Sequence, residues 1–227
     1  MARELDQKIW EERFHSSLVR VYLITGNLDA ALREYNEIWK IAVDEDSWDF
    51  QRSALYSKGI VCLENKSIDE AKRIADELKE FIEKGVYKKI IRLYYNLMGL
   101  IEFKQGSLPL AIEYFERAIA FLPSEGFFGY DTAPYLDSLA LAYYKKKDLE
   151  KAKEQYEKIT TLTTGRLHYG DLCAKSFYML AKIHEEQDDT AKAIEHYQKF
   201  LDLWRYADPG IAEVEDARSR LAGLKSN

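Results

Sequence analysis

The chain has 227 residues, of which 47% are hydrophobic and 32% charged, and its formal net charge is −6. This composition supplies enough apolar side chains for a sizeable core, and the negative balance excludes a uniformly basic nucleic-acid-binding surface. The 11 glycines and 4 prolines are too few for a disordered chain or for an all-β fold with many tight turns.

The N-terminal residues and the cysteines bear on the location of the protein. The opening stretch, MARELDQKIWEERF, is charged throughout and does not have the apolar core of a signal peptide. No apolar run approaches the roughly 18 residues that would suggest a membrane span. Cys62 and Cys173 stand alone without CxxC spacing, which favours neither a disulfide framework nor a metal site. We therefore expect a cytoplasmic protein without a membrane segment.

The first predicted element is a helix within residues 5–24, LDQKIWEERFHSSLVRVYLI. Its apolar residues recur at helical spacing, but it is longer than the segments that take its place later in the chain. Leu5, Ile9 and Trp10 either continue this helix or belong to the remnant of a preceding unit.

One phrase then recurs along the chain, and its regular spacing indicates a repeat protein. Each occurrence follows a short polar turn such as TGNLD or KQGSLP, and an amphipathic segment such as LYYNLMGLIEFK precedes the turn. Apolar residues three and four positions apart predict helix, tight turn, helix in every unit. The phrases are DAALREYNEI (29–38), DEAKRIADEL (69–78), PLAIEYFERA (109–118), EKAKEQYEKI (150–159) and AKAIEHYQKF (191–200). Their key alanines lie 40, 40, 41 and 41 residues apart, at Ala31, Ala71, Ala111, Ala152 and Ala193.

Small residues also recur on the first helix of the units, at Gly59, Gly99, Ala140 and Ala181. Small side chains on both helices would let the helix axes approach to about 8–10 Å, with large side chains such as Phe115 and Tyr156 around them. In the third unit Ser107 is the predicted N-cap. Pro109 then falls in the first helical turn, where its missing N–H breaks no intrahelical hydrogen bond.

The units resemble tetratricopeptide repeats (TPR), whose pattern combines aromatic, small and proline positions at fixed spacing. The third unit carries this pattern at Tyr95, Met98, Gly99, Ala111, Phe115 and Pro123. Glu102 departs from the tyrosine position, which Tyr22 and Tyr143 fill in the first and fourth units. The period of 40 to 41 is longer than the usual 34 residues, and resembles long-period variants such as those of kinesin light chains. The resemblance covers roughly residues 12 to 206. The chain also resembles the C-terminal TPR arrays of large bacterial multidomain proteins.

The resemblance implies an all-α fold, a right-handed α-solenoid of five TPR-like helical hairpins. The predicted repeats cover approximately residues 12–45, 48–85, 88–123, 131–164 and 170–206, within one domain that spans residues 1–227. The stretch DPGIAEVEDARSRLAGLK predicts one more helix, approximately residues 209–225, which would cap the last apolar face.

The resemblance also implies that the first helices line a concave groove for a protein or peptide partner. The alternative is that the same side chains pack against the chain's own longer second helices or C-terminal helix. The residues predicted to face this groove, in addition to Ser16 and Glu185, are Arg13, Arg20, Leu23, Tyr56, Ile60, Leu63, Asn96, Leu100, Phe103, Asp137, Leu141, Tyr144, Tyr178 and Lys182.

Other sites are disfavoured by the residues present. A clamp for a terminal carboxylate needs several cationic or amide donors on successive helices, and only Arg20 and Asn96 match. The sequence has no phosphate loop, HExxH or GxSxG motif, so we predict neither an enzyme nor a cofactor. A metal site at His184 and His196, beside Glu185, would need a third ligand close by, and we favour a histidine in a tyrosine position together with a solvated one. The acidic pairs of IWEERF and IHEEQDD are expected to be solvated, and the basic segments YKKIIR and YYKKKD are too short for strong nucleic-acid binding.

We therefore predict a protein–protein interaction scaffold that binds a peptide or partner protein in a partly apolar groove. The alternative hypothesis is a ligand-sensing or regulatory module of a larger kinase, cyclase or transcription regulator, which the full-length gene context would reveal. Self-association through an uncapped N-terminal face is a further hypothesis.

Overall fold

The structure is a computed structural model that describes residues 2–122, 132–162 and 169–226, with side chains from residue 7 onward. These residues form helices and turns, and the described segments contain no strand. The fold is all-α, as predicted. It consists of helical hairpins in which neighbouring helices pack side by side, as they do in TPR solenoids.

The chain divides into two compact units, Met1–Phe121 and Leu122–Asn227. Helices of the first unit pair as α1 (Ala2–Ile24) with α2 (Leu28–Asp44), α3 (Trp48–Glu64) with α4 (Ile68–Lys84), and α5 (Arg92–Lys104) with α6 (Leu108–Ala120). A 3₁₀ turn, Lys88–Ile91, precedes α5. Helices of the second unit pair as α7 (Thr132–Lys145) with α8 (Leu149–Thr161) and α9 (Gly170–Glu186) with α10 (Thr190–Leu203). The last helix, α11 (Ala212–Ser226), packs on α10, where the sequence predicts the capping helix.

The helix bounds explain part of the long period. In the first two repeats the second helices, α2 and α4, have 17 residues each, whereas α6 and α8 have 13. The extra residues of these repeats therefore lengthen the second helix. Helix α1 begins at Ala2, ahead of the predicted repeat start at residue 12, so Ile9 and Trp10 continue the first helix. The predicted repeat bounds at residues 123, 131 and 164 lie outside the described residues.

The five hairpin turns share one backbone conformation. A residue with φ between +59° and +83° ends the first helix of each hairpin, namely Gly26, Lys66, Gly106, Lys147 and Asp188. The following N–H then bonds a carbonyl of the last helical turn, as from Asn27 to Tyr22 at 2.8 Å and from Asp189 to His184 at 2.9 Å. This hydrogen bond gives a partner to a carbonyl group that the helix end would otherwise leave unpaired. It also fixes the angle at which the second helix leaves each turn.

The second helices begin with polar residues at the N-cap position. Asn27, Asp148 and Asp189 accept hydrogen bonds from backbone N–H groups of the first turn. Ser107 occupies the predicted N-cap position of α6, but its side chain makes no capping hydrogen bond. Pro109 lies in the first turn of α6, as predicted, where it costs no helical hydrogen bond.

The small residues lie at helix crossings. The five alanines of the repeated phrase are fully buried, and so are Ala140 and Ala181. A Cβ atom on Gly99 would lie 2.5 Å from the ring of Phe115 on α6, so this hairpin closes tightly only because residue 99 has no side chain. A Cβ atom on Gly59 would instead overlap Leu97 of α5, which belongs to the next hairpin. Small residues therefore allow close approach both within and between hairpins.

We expect Ala111→Trp to destabilise the first unit. Ala111 is 0% exposed, and forcing a large ring into this crossing should cost about 1–3 kcal/mol or more. Ala120→Trp in the exposed last turn of the same helix is the matched control, and should change the melting temperature little. Thermal unfolding followed by circular dichroism measures both variants. Equal melting temperatures for Ala111→Trp and the parent chain would remove this crossing from the stability argument.

Candidate partner-binding surface

The predicted site residues lie on the first helices of the hairpins, and they fall into two groups. Nine of the fourteen lie on α1, α3 and α5 in the first unit, from Arg13 to Phe103. The other five lie on α7 and α9 in the second unit, from Asp137 to Lys182. Each unit therefore carries its own set of candidate contacts.

In the first unit one repeat position forms a partly exposed row. Arg20, Ile60 and Leu100 each follow a buried residue of the crossing (Val19, Gly59 and Gly99), and all three are half-buried. Ile60 and Leu100 pack along the edge of the core around Leu97. Ile60 and Leu100 therefore pack on the core with one side and expose apolar surface to water with the other. We call Arg20, Ile60 and Leu100 the first-unit row.

Further predicted residues surround this row. Leu23 and Phe103 lie about one turn beyond it and are also half-buried. Tyr56 lies on the other side, and its hydroxyl donates to Oδ1 of Asn96 at 2.5 Å. Because Tyr56 and Asn96 are 40 residues apart, this bond joins equivalent positions of α3 and α5 and fixes the two helices in register.

Two predicted residues of the first unit are not surface residues. Leu63 is only 3% exposed, because it packs in the core cluster with Ala71 and Leu78 of α4. Asn96 is only 4% exposed, and its carbonyl oxygen is already bonded by Tyr56. Both side chains support the surface from below, and neither offers a free edge to a partner.

Glu12 is a buried carboxylate that the sequence analysis assigned to a solvated face. It accepts hydrogen bonds from Ser16 Oγ at 2.8 Å and from Ser53 Oγ at 2.7 Å, and thereby links α1 to α3. It borders a cavity of about 280 Å³ that Ile9, Arg13, Asp49, Phe50 and Ser53 also line. The solvated assignment was wrong because Ser53 lies 41 residues away and becomes a neighbour only through the repeat.

In the second unit the first helices are joined mainly by charged and aromatic side chains. Lys175 Nζ of α9 lies 3.3 Å from Asp137 Oδ2 of α7. Tyr144 donates its hydroxyl proton to Glu186, which also bonds Lys147 Nζ at 2.8 Å. These contacts engage Asp137 and Tyr144 within the chain, whereas Leu141 between them is half-buried.

Lys182 lies between two aromatic rings of this surface. Its Nζ atom is 5.9 Å from the ring centre of Tyr144 and 5.3 Å from that of Tyr178. Such contacts hold a lysine in place while leaving its charge accessible. Tyr178 itself is only 7% exposed, since its hydroxyl is directed to α11.

An ion-pair network fixes the C-terminal helix. Arg220 of α11 donates to Asp216 Oδ2 at 2.7 Å and to both carboxylate oxygens of Glu185 on α9, at 3.1 and 3.0 Å. Tyr178 donates to the same Asp216 at 2.7 Å, and Tyr197 donates to Glu185 at 2.7 Å. Glu185 of the IHEEQDD segment is therefore half-buried in this network, and the expectation of a solvated face was wrong for it, whereas Glu186 is exposed while bonding Tyr144 and Lys147.

These contacts shift the pKa values of the groups involved. Hydrogen bonds from Lys147 and Tyr144 lower the pKa of Glu186. Burial opposes ionisation of Asp216, but the hydrogen bonds from Tyr178 and Arg220 outweigh it and lower the pKa of this carboxyl. Burial, followed by the hydrogen bond to Glu186, raises the pKa of Tyr144. The carboxyl groups of Glu186 and Asp216 are therefore ionised at neutral pH, and Tyr144 keeps the proton that it donates to Glu186 in their hydrogen bond.

The histidine pair of the last hairpin is a packing contact. The rings of His184 and His196 are 5.2 Å apart, and Nδ1 of His184 is 3.6 Å from Asp189. No group of three His, Cys, Asp or Glu side chains suited to a metal ion occurs within the described ranges. Burial, and then the neighbouring His196, lowers the pKa of His184. His184 stands at the repeat position that Tyr143 fills in the preceding hairpin.

A helical hairpin repeated at one interval, with side chains of the first helices partly exposed, defines the class of helical-repeat interaction modules. A family model described as "Tetratricopeptide repeat" matches residues 89–165 and 135–206, which together span a little over half of the chain. The chain belongs to the tetratricopeptide repeat family. Proteins of this family generally act as interaction scaffolds. A comparison with curated protein sequences finds no significant match.

Solved structures agree with this fold. BtubC (BKLC) from P. vanneervenii superposes with a TM-score of 0.68 at 15% sequence identity, over 88% of this chain and 82% of that chain. YrrB, described as a TPR protein with an unusual peptide-binding site, gives a TM-score of 0.51 at 18% identity, over 90% of each chain. A signal transduction ATPase with numerous domains and a TPR sensor, from Pyrococcus horikoshii, gives 0.62 at 18% identity. That match spans 96% of this chain but only 33% of the ATPase.

None of the helices in the described segments has the length and apolarity needed to cross a bilayer.

We expect Arg220→Met to loosen α11 by about 1 kcal/mol, because it removes hydrogen bonds to two carboxylates that are only partly solvated. Arg218→Met, at an exposed position of the same helix, is the control. Hydrogen exchange should show faster exchange in α11 for Arg220→Met alone. Equal protection of α11 in both variants would contradict a role for this network in holding the helix.

We also expect acid to destabilise the second unit through His184. Its pKa is lower in the folded chain than the ordinary value of 6.5, so the unfolded chain binds the proton more readily. The contribution of neutral His184 to the free energy of unfolding is therefore fully present above pH 6.5, and it is lost as the pH falls toward the folded-state pKa. His184→Tyr, which restores the residue type of position 143, should flatten the decrease in melting temperature between about pH 7 and pH 5. Parallel slopes for the two proteins would contradict this assignment.

Proposed function

We propose that the first-unit row and its neighbours bind an extended or helical segment of a partner protein. The observation that carries the proposal is the partly exposed row Arg20, Ile60 and Leu100, at one repeat position on three successive first helices. Leu23 and Phe103 widen the row with further apolar surface. Covering such surface contributes roughly 25 cal/mol per Å² of apolar area removed from water.

Preorganisation supports the proposal. Ile60 and Leu100 pack against the core, so little side-chain entropy remains to be lost when a partner covers them. The Tyr56–Asn96 hydrogen bond holds α3 and α5 in register beneath the row. Ile60 and Leu100, held rigidly at one repeat position, favour apolar side chains that a partner presents at a matching interval.

Charge supports a direction for the bound segment. Arg20 ends the row on α1, and Arg13 lies two turns before it with an exposed side chain. At the other end of the row, on α5, Leu100 and Phe103 are apolar. A partner segment with an acidic residue near α1 and apolar residues near α3 and α5 would match this distribution, and the charges would set its register.

The second unit contributes less in this proposal. Its first-helix side chains Asp137, Tyr144 and Tyr178 already contact other residues of the chain, which leaves Leu141 and Lys182 as the candidates for contact. These two positions correspond to the first-unit row in the repeat. We treat them as an additional surface of lower apolar content.

The test uses the full chain as the target for selecting peptides from a displayed library of random sequences. The affinity of the selected peptides is then measured for the parent chain and its variants. We expect Leu100→Glu and Ile60→Glu each to weaken binding at least about tenfold, the effect of removing one interface anchor. Leu110→Glu is the matched control, because Leu110 is an exposed leucine on the second helix α6. It should bind like the parent chain.

Stability measurements separate binding from packing. The two row variants should lose clearly less stability than Leu97→Ala, which in the fully buried core should lose about 2–5 kcal/mol. If Leu100→Glu unfolds like Leu97→Ala, the row is a packing surface. If selected peptides bind the row variants as tightly as the parent, the proposed surface is wrong.

A further inference from the structure

Helix α1 carries an uncovered apolar stripe that the proposed peptide surface does not use. Four large side chains are more than half exposed: Trp10 at 67%, Phe14 at 61%, Val21 at 51% and Ile24 at 67%. With Ser17 between them they occupy positions 10, 14, 17, 21 and 24, which we call the α1 stripe. The intervals of four, three, four and three residues are those of a coiled-coil seam, so a second helix fits this face.

The stripe faces away from the rest of the first unit. The opposite side of α1 holds the buried Val19 and the buried Glu12, which bonds Ser53 of α3. Another side of α1 contacts α2 through His15, whose Nδ1 lies 2.6 Å from Glu34. Neither α2 nor α3 therefore covers the stripe.

The exposed area of the α1 stripe is large enough for a weak but specific protein–protein interface. The exposed parts of its large side chains amount to roughly 500 Å² per copy, or about 1,000 Å² for two copies, which is near the lower limit of specific interfaces. An interface of this size is typical of a weak, transient pair rather than an obligate dimer.

We propose that the occupant is the α1 stripe of a second copy, paired antiparallel about a two-fold axis near Ser17. Trp10 and Phe14 make one half of the stripe bulky, and Val21 and Ile24 make the other half smaller. A two-fold axis sets the bulky half of each copy against the smaller half of the other, so that the side chains interdigitate. Parallel pairing would set Trp10 against Trp10. Ser17 at the centre is small enough to let the helices approach closely.

The edge of the stripe makes this pairing sensitive to salt. Arg13 and Arg20 lie on the same side of the stripe, and antiparallel pairing brings these sides of the two copies together. Arg13 is held over Trp10, with its guanidinium carbon 5.6 Å from the ring centre. Association should therefore be stronger at about 300 mM salt than at about 50 mM, where the like charges are less screened.

Sedimentation velocity of the full 26.5 kDa chain between about 5 and 500 µM tests the proposal. The parent chain should shift from monomer toward dimer over this range, and Phe14→Glu should weaken association at least about tenfold. Tyr206→Glu is the control for an exposed aromatic residue outside the stripe, since Tyr206 is 88% exposed. A monomeric parent chain at the highest concentration, or a Phe14→Glu variant that associates like the parent, would overturn the proposal.

A charge exchange tests the antiparallel arrangement. Trp10→Glu and Ile24→Lys should each weaken association. Combined in one chain, they should associate more tightly than either single variant, because each glutamate then faces a lysine of the other copy. Circular dichroism melts confirm that the variants are folded. A double variant weaker than both single variants would indicate like charges facing each other and would refute antiparallel pairing.

Discussion

Close approach of helices at residues with little or no side chain determines the rest of this structure. Gly99 leaves room for the ring of Phe115, and Gly59 leaves room for Leu97 of the next hairpin. The fully buried alanines of the repeated phrase do the same from the second helices. These crossings also orient the functional surface. Successive residues of a helix point about 100° apart, so the residue after each glycine is turned away from the crossing. Ile60 and Leu100 are therefore partly exposed because their predecessors are deeply buried.

The contacts between first helices, and the contact from α9 to the C-terminal helix α11, follow nearly the same interval as the sequence repeat. Glu12 with Ser53, Tyr56 with Asn96, and Tyr178 with Asp216 are 41, 40 and 38 residues apart. Each joins nearly equivalent positions on neighbouring helices. Each of these hydrogen bonds contributes only about 0.5–1.5 kcal/mol of net stability. Their regular placement instead fixes the register of the helices, and so keeps the partly exposed side chains of each unit aligned. The first unit uses this frame to present apolar side chains, whereas the second engages much of its face in ion pairs.

The repeat period made much of the fold predictable, since a helix–turn–helix pattern at 40 to 41 residues fixes the hairpins and the small-residue crossings. Burial of individual polar residues was less predictable. Glu12, Asn96 and Tyr178 can be buried because a residue about one repeat away forms a hydrogen bond with each, and such a partner is visible only after the repeats are aligned in register. An in-register search for donor and acceptor pairs would have found them. The sequence also did not predict the left-handed conformation of Lys66, Lys147 and Asp188, because glycine is the usual signal for a positive φ and these residues are not glycines. Only their alignment with Gly26 and Gly106 reveals the shared turn.

The first and the last described helices, α1 and α11, differ in how their outer faces are covered, and this difference follows from side-chain chemistry. At the C-terminal end, α11 brings Asp216 and Arg220 onto α9 and presents a mostly polar outer surface. A stacked helical repeat ends stably in this way, since the last apolar face is covered and the new outer face is wetted. On α1, no other helix of the described residues covers the outer face, which carries Trp10 and Phe14. An aromatic face of this size on a helix costs solvation free energy unless another helix covers it. No helix of the described residues meets at α1 the need that α11 meets on α9 and α10. A second molecule can meet it by covering Trp10, Phe14 and Ile24, with Arg20 of the first-unit row at the edge of the contact.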